Sequence, residues 1–154
     1  MLSVALVTEI VSCSQNKYTG EYLEEAHVFL QQNKTAEAII SLKNVLKADA
    51  NNAEARYLLG KSYINQGNWV IAEKELSRAK RFNYDAALVY PLLAEAYSHL
   101  EDGAGIELLL KDVVENKALE QSLRYFLAVS YIYQGEDIQA LSELDTVVSL
   151  NEDS

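Results

Sequence analysis

The feature that most constrains this chain is an internal repeat. Two stretches that begin at Tyr57 and Tyr125, YLLGKSYINQGNWVIAEKELSRA and YFLAVSYIYQGEDIQALSELDTV, align without a gap at an offset of 68 residues. That offset is twice 34, and the intermediate register divides the chain into four segments of 34 residues, 19–52, 53–86, 87–120 and 121–154. A period of this length predicts an array of small stacked units rather than one globular core.

Four columns of residues recur in this register. They are a small residue (Ala26, Gly60, Ala94, Ala128), an aromatic one (Phe29, Tyr63, Tyr97, Tyr131), a second small column (Ala38, Ala72, Ile106, Ala140) and a leucine (Leu42, Leu76, Leu110, Leu144). A small residue lets two antiparallel helices approach closely, and the aromatic residue fills the space between neighbouring pairs. Apolar residues spaced 3, 4 and 7 apart predict amphipathic helices and no strands.

The pattern predicts eight helices, over residues 20–32, 35–48, 54–66, 69–82, 88–100, 104–116, 122–134 and 137–149. Gly67 and Gly135 stand where the chain reverses, and a left-handed backbone is expected there. The third segment is irregular, because Ile106 replaces alanine and should push its helix pair slightly apart. Pro91 falls early in the fifth helix, which should therefore start late or kink, since proline lacks the N–H that a helix interior needs.

This pattern resembles the tetratricopeptide repeat, a helix–turn–helix unit of 34 residues, over residues 19–154. The resemblance implies an all-α solenoid of four repeats wound as a right-handed superhelix. It also implies a non-enzymatic scaffold that binds a protein or peptide segment in a concave groove. In the family, positions 2, 5, 9, 12 and 13 of each first helix line that groove. Carried onto this chain, the candidate peptide-groove residues are Leu23, His27, Tyr57, Lys61, Asn65, Glu95, His99, Tyr125, Val129 and Tyr133, with Leu30, Gln31, Glu54, Ile64, Pro91, Ser98 and Ile132 beside them.

The expected groove is apolar and aromatic, although the chain carries a formal net charge of −10. The excess carboxylates are therefore expected on the second helices and turns, as a solvated convex face. Tyr57, Tyr125 and Tyr133 have two interpretations that the sequence leaves open. Tyrosine at helical spacing often packs inside the array, and it also suits recognition because it joins a rigid apolar ring to a hydroxyl group.

Composition and motifs narrow the function. The acidic balance, with a pI near 4.6, predicts that nucleic acid is not a partner. The single cysteine excludes an internal disulfide or a multi-cysteine zinc site. The only histidines, His27 and His99, fall in different repeats without a Ser or Cys constellation. No phosphate loop or HExxH motif occurs, so we expect no enzyme activity, no catalytic residue, no metal and no cofactor. The carboxylate clamp of Lys, Asn and Arg known in one variant of the family is also not expected here.

A narrower resemblance covers residues 41–60. With LKN, NNAEAR and YLLG, this stretch is similar to the repeat lipoproteins of the PEP-CTERM/exosortase system. That likeness implies a bacterial envelope protein associated with exopolysaccharide production and protein sorting. The chain departs from that family at Ala50, where proline is common, and it is much shorter, which suggests a fragment or a truncated paralogue. The last helix then leaves apolar surface exposed and open to self-association, through Ile138, Leu141, Leu144 and Val148.

The likeness bears on Cys13. Ile10, Val11 and Ser12 precede it as in a lipobox, and an apolar stretch lies ahead of them. Residues 1–18 are therefore predicted to be a signal-peptide-like segment and tether, lipidated at Cys13, and this anchor would be the only contact with a membrane. Against this, Glu9 interrupts the apolar run and no Lys or Arg precedes it. The alternative is a short apolar helix with a free thiol, in a soluble cytoplasmic adaptor or self-associating module.

Overall fold

The computed structural model describes residues 18–113 and 115–152, which form helices joined by short turns. We number the helices α1 (residues 18–31), α2 (Thr35–Ala48), α3 (Ala53–Ile64), α4 (Trp69–Arg81), α5 (Ala86–His99), α6 (Gly103–Asp112), α7 (Lys117–Gln134) and α8 (Asp137–Glu152). No strand occurs in these residues, and consecutive helices pair as the first and second helix of successive repeats. The predicted all-α solenoid is confirmed.

The repeats stack side by side. Helix α3 contacts α2, α4 and α5, and α7 contacts α5, α6 and α8. One cluster of buried apolar side chains runs along the array from Ala26 in α1 to Leu127 in α7. Each first helix therefore lies against its own second helix and against the preceding repeat, which is the arrangement of a linear repeat protein.

The small-residue column lies where two helices of one repeat approach most closely. A Cβ atom placed on Gly60 would stand 2.5 Å from Cγ of Leu76 in the paired helix. Ala26, Ala94 and Ala128, at the same position of the other repeats, are completely buried. The physical reason inferred from the sequence is confirmed, because a larger side chain at this position would collide with the leucine column.

Local chemistry determines where the helices begin and end. Gly67 and Gly135 have φ angles of +68° and +75°, as predicted for left-handed turns, and Asn33 and Glu101 adopt the same conformation at the equivalent positions. Asparagine and aspartate side chains accept hydrogen bonds from the first turn of the helices that follow. These N-cap residues are Asn52, Asn68, Asp85, Asp102 and Asn116.

The third repeat differs from the prediction. Helix α5 begins at Ala86, so the expected late start is wrong, because the Asp85 side chain accepts a hydrogen bond from the N–H of Ala87 and starts the helix ahead of Pro91. Pro91 lies inside the helix, where its ring nitrogen cannot donate the usual hydrogen bond to the carbonyl of Ala87. Helix α6 already ends at Asp112, and α7 begins at Lys117, capped by Asn116.

None of the described helices is long and apolar enough to cross a membrane. Cys13 and nearly all of the predicted segment 1–18 lie outside the described residues. The lipobox therefore stays a prediction.

Candidate peptide-binding surface

Three aromatic rings from three successive repeats lie against one another. The rings of Trp69 and His99 are stacked, with their centroids 3.9 Å apart and their planes 11° apart. The ring of Tyr133 follows at 5.6 Å from that of His99, tilted by 34°. His99 and Tyr133 are exposed. We call Trp69, His99 and Tyr133 the ring array; it forms a strip of aromatic surface across the second, third and fourth repeats.

The backbone explains how this strip forms. His99 and Tyr133 stand at position 13 of their repeats, near the ends of α5 and α7. Trp69 begins α4, directly after the left-handed Gly67 and the N-cap Asn68, whose side chain accepts a hydrogen bond from the N–H of Ile71. The turn between the two helices of the second repeat therefore brings the indole beside the imidazole of the next repeat.

A carboxylate lies one helical turn before His99. Burial raises the pKa of Glu95 above its ordinary value of 4.5, while positive charge on His99 acts in the opposite direction. Glu95 is half-buried, so the surface next to the ring array is partly shielded from water.

The first half of the predicted groove is more polar. Nε2 of His27 lies 2.9 Å from Oε1 of Glu54, which joins the first and second repeats. A cleft of about 170 Å³ opens between α1 and α3, and it is lined by Leu30, Leu58, Lys61, Ser62 and Asn65. Both Lys61 and Asn65 are exposed there.

A second cleft of about 260 Å³ lies beside Pro91, between α5 and α7.

The two tyrosines at position 5 differ. Tyr57 is buried, with 8% of its surface exposed, and its ring stacks on that of Tyr84 at 4.7 Å. Tyr125 is 50% exposed and contacts Phe126 edge-on. For Tyr57 the packing interpretation accounts for the ring, so we leave it out of the binding surface.

The other predicted groove positions are also either partly exposed or buried. Leu23 and Val129 are half-buried, and both leave part of their surface to solvent. Ile64 and Ser98, at position 12, are buried. In the inner repeats, position 12 therefore contributes to packing between repeats.

Sequence reasoning missed Trp69. It stands at position 17 of its repeat, at the start of the second helix. The groove positions known for the family all lie in the first helices, so they did not include it. The signal available was composition, because Trp69 is the only tryptophan of the chain and directly follows a glycine turn.

Neither histidine stands in a catalytic constellation within the described residues. His27 pairs with Glu54, and His99 is stacked between two aromatic rings. No group of three His, Cys, Asp or Glu side chains in residues 18–113 and 115–152 is arranged to hold a metal ion.

Comparisons with known proteins agree with the fold. A family model described as Tetratricopeptide repeat matches residues 29–96. Proteins of this repeat type are generally non-enzymatic scaffolds that bind protein or peptide partners. No match was found among curated proteins.

Three solved structures are similar to this chain. The crystal structure of MamA has 23% sequence identity and a TM-score of 0.75, covering 89% of this chain and 75% of that one. PilF of Pseudomonas aeruginosa has 15% identity and a TM-score of 0.64, covering 92% and 64%. YrrB, described as a TPR protein with an unusual peptide-binding site, has 17% identity and a TM-score of 0.53, covering 86% of each chain. At these identities the likeness shows the fold alone. The resemblance to lipoproteins of the PEP-CTERM/exosortase system is not confirmed and stays a prediction.

Proposed function

We propose that this chain is an interaction scaffold that binds a peptide segment of a partner protein on the ring array. The observation that carries the proposal is the row of Trp69, His99 and Tyr133, in which the first two rings are stacked, the third is tilted against them, and His99 and Tyr133 are exposed. Stacked rings are ordered before binding, so a ligand that packs on them orders fewer side chains. Aromatic rings with polar atoms also supply a large share of the energy in many protein interfaces. The peptide-binding site described for YrrB supports the use of this fold for such ligands.

The surroundings of the ring array indicate what the segment contains. An apolar or aromatic side chain packs on the surface that His99 and Tyr133 leave exposed. Asn65 occupies the same position of the preceding repeat, and Lys61 stands one turn before it, so both offer hydrogen-bond donors along the same line. We therefore expect an apolar residue followed by carbonyl or carboxylate acceptors.

A random peptide library displayed on phage, selected against the whole chain, tests this proposal. Selected peptides should quench or enhance the emission of Trp69, the only tryptophan, in a saturable titration. His99→Ala and Tyr133→Ala should each weaken binding about tenfold, as expected for central aromatic contacts. Tyr18→Ala provides a matched control, because Tyr18 is an exposed tyrosine at the start of α1. Equal losses in all three variants, or no loss in the first two, would show that the ring array is not the site.

We also propose that the scaffold is held at the bacterial envelope through Cys13 and works with exopolysaccharide or protein-sorting systems. The support is the Ile10–Cys13 sequence and the resemblance over residues 41–60. Metabolic labelling with a fatty-acid analogue should label the wild-type chain and leave Cys13→Ala unlabelled. If both chains are unlabelled and soluble, the alternative of a soluble cytoplasmic adaptor or self-associating module holds.

A further inference from the structure

The two helices of the fourth repeat, α7 and α8, line an open apolar groove. It has a volume of about 310 Å³ and is lined by Ile132, Asp137, Ala140, Leu141 and Leu144. We call these five residues the end face. Ile132 and Leu141 are more than half exposed, and they line the groove together.

The same positions in the second repeat are covered by the next helix. The equivalents of Ile132, Ala140 and Leu144 are Ile64, Ala72 and Leu76, and all three are buried. Helix α5 packs on α3 and α4 there. The end face is therefore a stacking surface of the kind that receives a helix elsewhere in this chain.

The helices that cover such surfaces share one pattern. Positions 3, 6 and 7 are apolar and position 10 is small, as in Val89, Leu92, Leu93 and Ala96 of α5 and in Leu123, Phe126, Leu127 and Ser130 of α7. A Cβ atom on Gly103, the equivalent of Asp137, would lie 3.5 Å from Leu127 and 3.6 Å from Ser130. This contact shows that positions 7 and 10 face the second helix of the preceding repeat. A covering helix thus has apolar residues at i, i+3 and i+4 and a small one at i+7.

A second copy of the chain is a poor occupant of the end face. In α1, positions 3, 6 and 7 carry Glu21, Glu24 and Glu25, and stacking α1 on the end face would remove these carboxylates from water. Asp137 lines the end face, and Asp145 follows Leu141 by one helical turn, so two end faces pressed together would place both aspartates of both copies at one interface. Helix α8 has no Lys, Arg or His to offset them. The charges therefore favour a basic occupant.

We propose that the end face binds, in trans, an amphipathic helix of a partner protein. The helix presents the spacing described above, and Lys or Arg residues beside its apolar stripe pair with Asp137 and Asp145. This site uses residues separate from the ring array, so it adds a second interaction surface to the scaffold.

A labelled synthetic peptide with the sequence of residues 117–134 and the change Glu120→Lys is the probe. Its fluorescence anisotropy should rise saturably with the wild-type chain, and the peptide version carrying Leu127→Asp should bind at least about tenfold more weakly. Leu141→Asp in the protein should weaken binding by a similar factor. Ile138→Asp is the matched control: Ile138 is 82% exposed on the same helix, and its equivalent Val70 is exposed even inside the array.

Further measurements separate the possible occupants. Added salt should weaken binding of the Glu120→Lys peptide more than that of the unaltered sequence, because charge pairs at a rim are screened. His99→Ala should bind the probe as the wild type does; a loss there would place the peptide on the ring array and overturn the inference. Equal effects of Leu141→Asp and Ile138→Asp would also overturn it. So would a wild-type dimer in sedimentation that Leu141→Asp dissociates and that the probe does not displace, since a second copy would then cover the face.

Discussion

The second and fourth repeats share one sequence skeleton but differ in their neighbours. Ile64 and Ile132 occupy the same position, yet 7% of the first is exposed and 53% of the second. Tyr57 and Tyr125 differ in the same direction, although the ring on which Tyr57 stacks, Tyr84, belongs to its own repeat. The second repeat is covered by α5, whereas no described helix follows α8. In a linear array, burial is therefore a property of the neighbouring repeat as much as of the residue itself.

The same comparison applies to an ion pair that both repeats contain. Arg56 donates a hydrogen bond to Glu75, and Arg124 donates one to Glu143. The glutamate side chain is 8% exposed in the inner pair and 21% exposed in the outer one. Partial burial acts to lower the pKa of Arg124, but its hydrogen bonds to Glu143 and Glu120 outweigh this and the pKa is raised. The arginine is therefore expected to depend more on its glutamate in the second repeat, where both side chains are nearly buried, than in the fourth.

The largest expected difference concerns the two tyrosines. Tyr57→Ala should lower the free energy of unfolding by about 3 kcal/mol, because it removes a buried ring stacked on Tyr84. Tyr125→Ala should lower it by less than about 1 kcal/mol. Urea unfolding followed by circular dichroism measures both. Similar losses in the two variants would mean that stacking on Tyr84 does not determine the difference.

Breaking the ion pair should give the next largest difference in stability between the two repeats. Glu75→Ala leaves the nearly buried Arg56 without its carboxylate and should cost about 3 kcal/mol. Glu143→Ala should cost about 1 kcal/mol. Arg124 keeps its hydrogen bond to Glu120, and its side chain is more exposed to water than that of Arg56. The comparison fails if the outer substitution costs as much as the inner one in the same urea experiment.

The turn glycines should show no difference between the repeats. Gly67→Ala and Gly135→Ala each place a side chain on a left-handed backbone, which costs about 1 kcal/mol. No heavy atom lies closer than 3.9 Å to a Cβ at either position. Equal shifts of the urea midpoint are expected because this strain is local. A clearly larger loss at Gly67 would show that neighbours act on the turns as well.

The smallest effect depends on pH. Position 9 carries Lys61, Glu95 and Val129 in successive repeats, and burial raises the pKa of Glu95 above 4.5. Protonated Glu95 is favoured in the fold, so its stabilising contribution is present below pH 4.5 and is lost as the pH rises through the raised value. At neutral pH, the melting temperature of Glu95→Gln should therefore be slightly higher than that of the wild type. Below pH 4.5 the two melting temperatures should be the same. A difference that persists at acidic pH would assign the effect to packing.

The helix register was predictable because hydrophobic periodicity is local. The columns at Ala26 and Leu42 identify the contact between paired helices wherever they occur. The start of α5 was not predictable from Pro91, because the Asp85 side chain caps the helix and starts it ahead of the proline. Exposure at position 12 also escaped prediction, since it depends on a helix from another repeat, and exposure at position 5 depends on Tyr84, which lies far along the chain. Trp69 joined the candidate site only through stacking between repeats, which no single-helix pattern contains.

The neighbour-to-neighbour packing of the array has a consequence for its motions. Helix α3 contacts α2, α4 and α5, and α7 contacts α5, α6 and α8, so the opening of one helix pair removes support chiefly from the pairs beside it. Amide hydrogens should accordingly exchange fastest at the ends and slowest in the middle repeats. A helix bound at the end face would slow exchange in α7 and α8 first, and the protection would fade with each repeat towards α1.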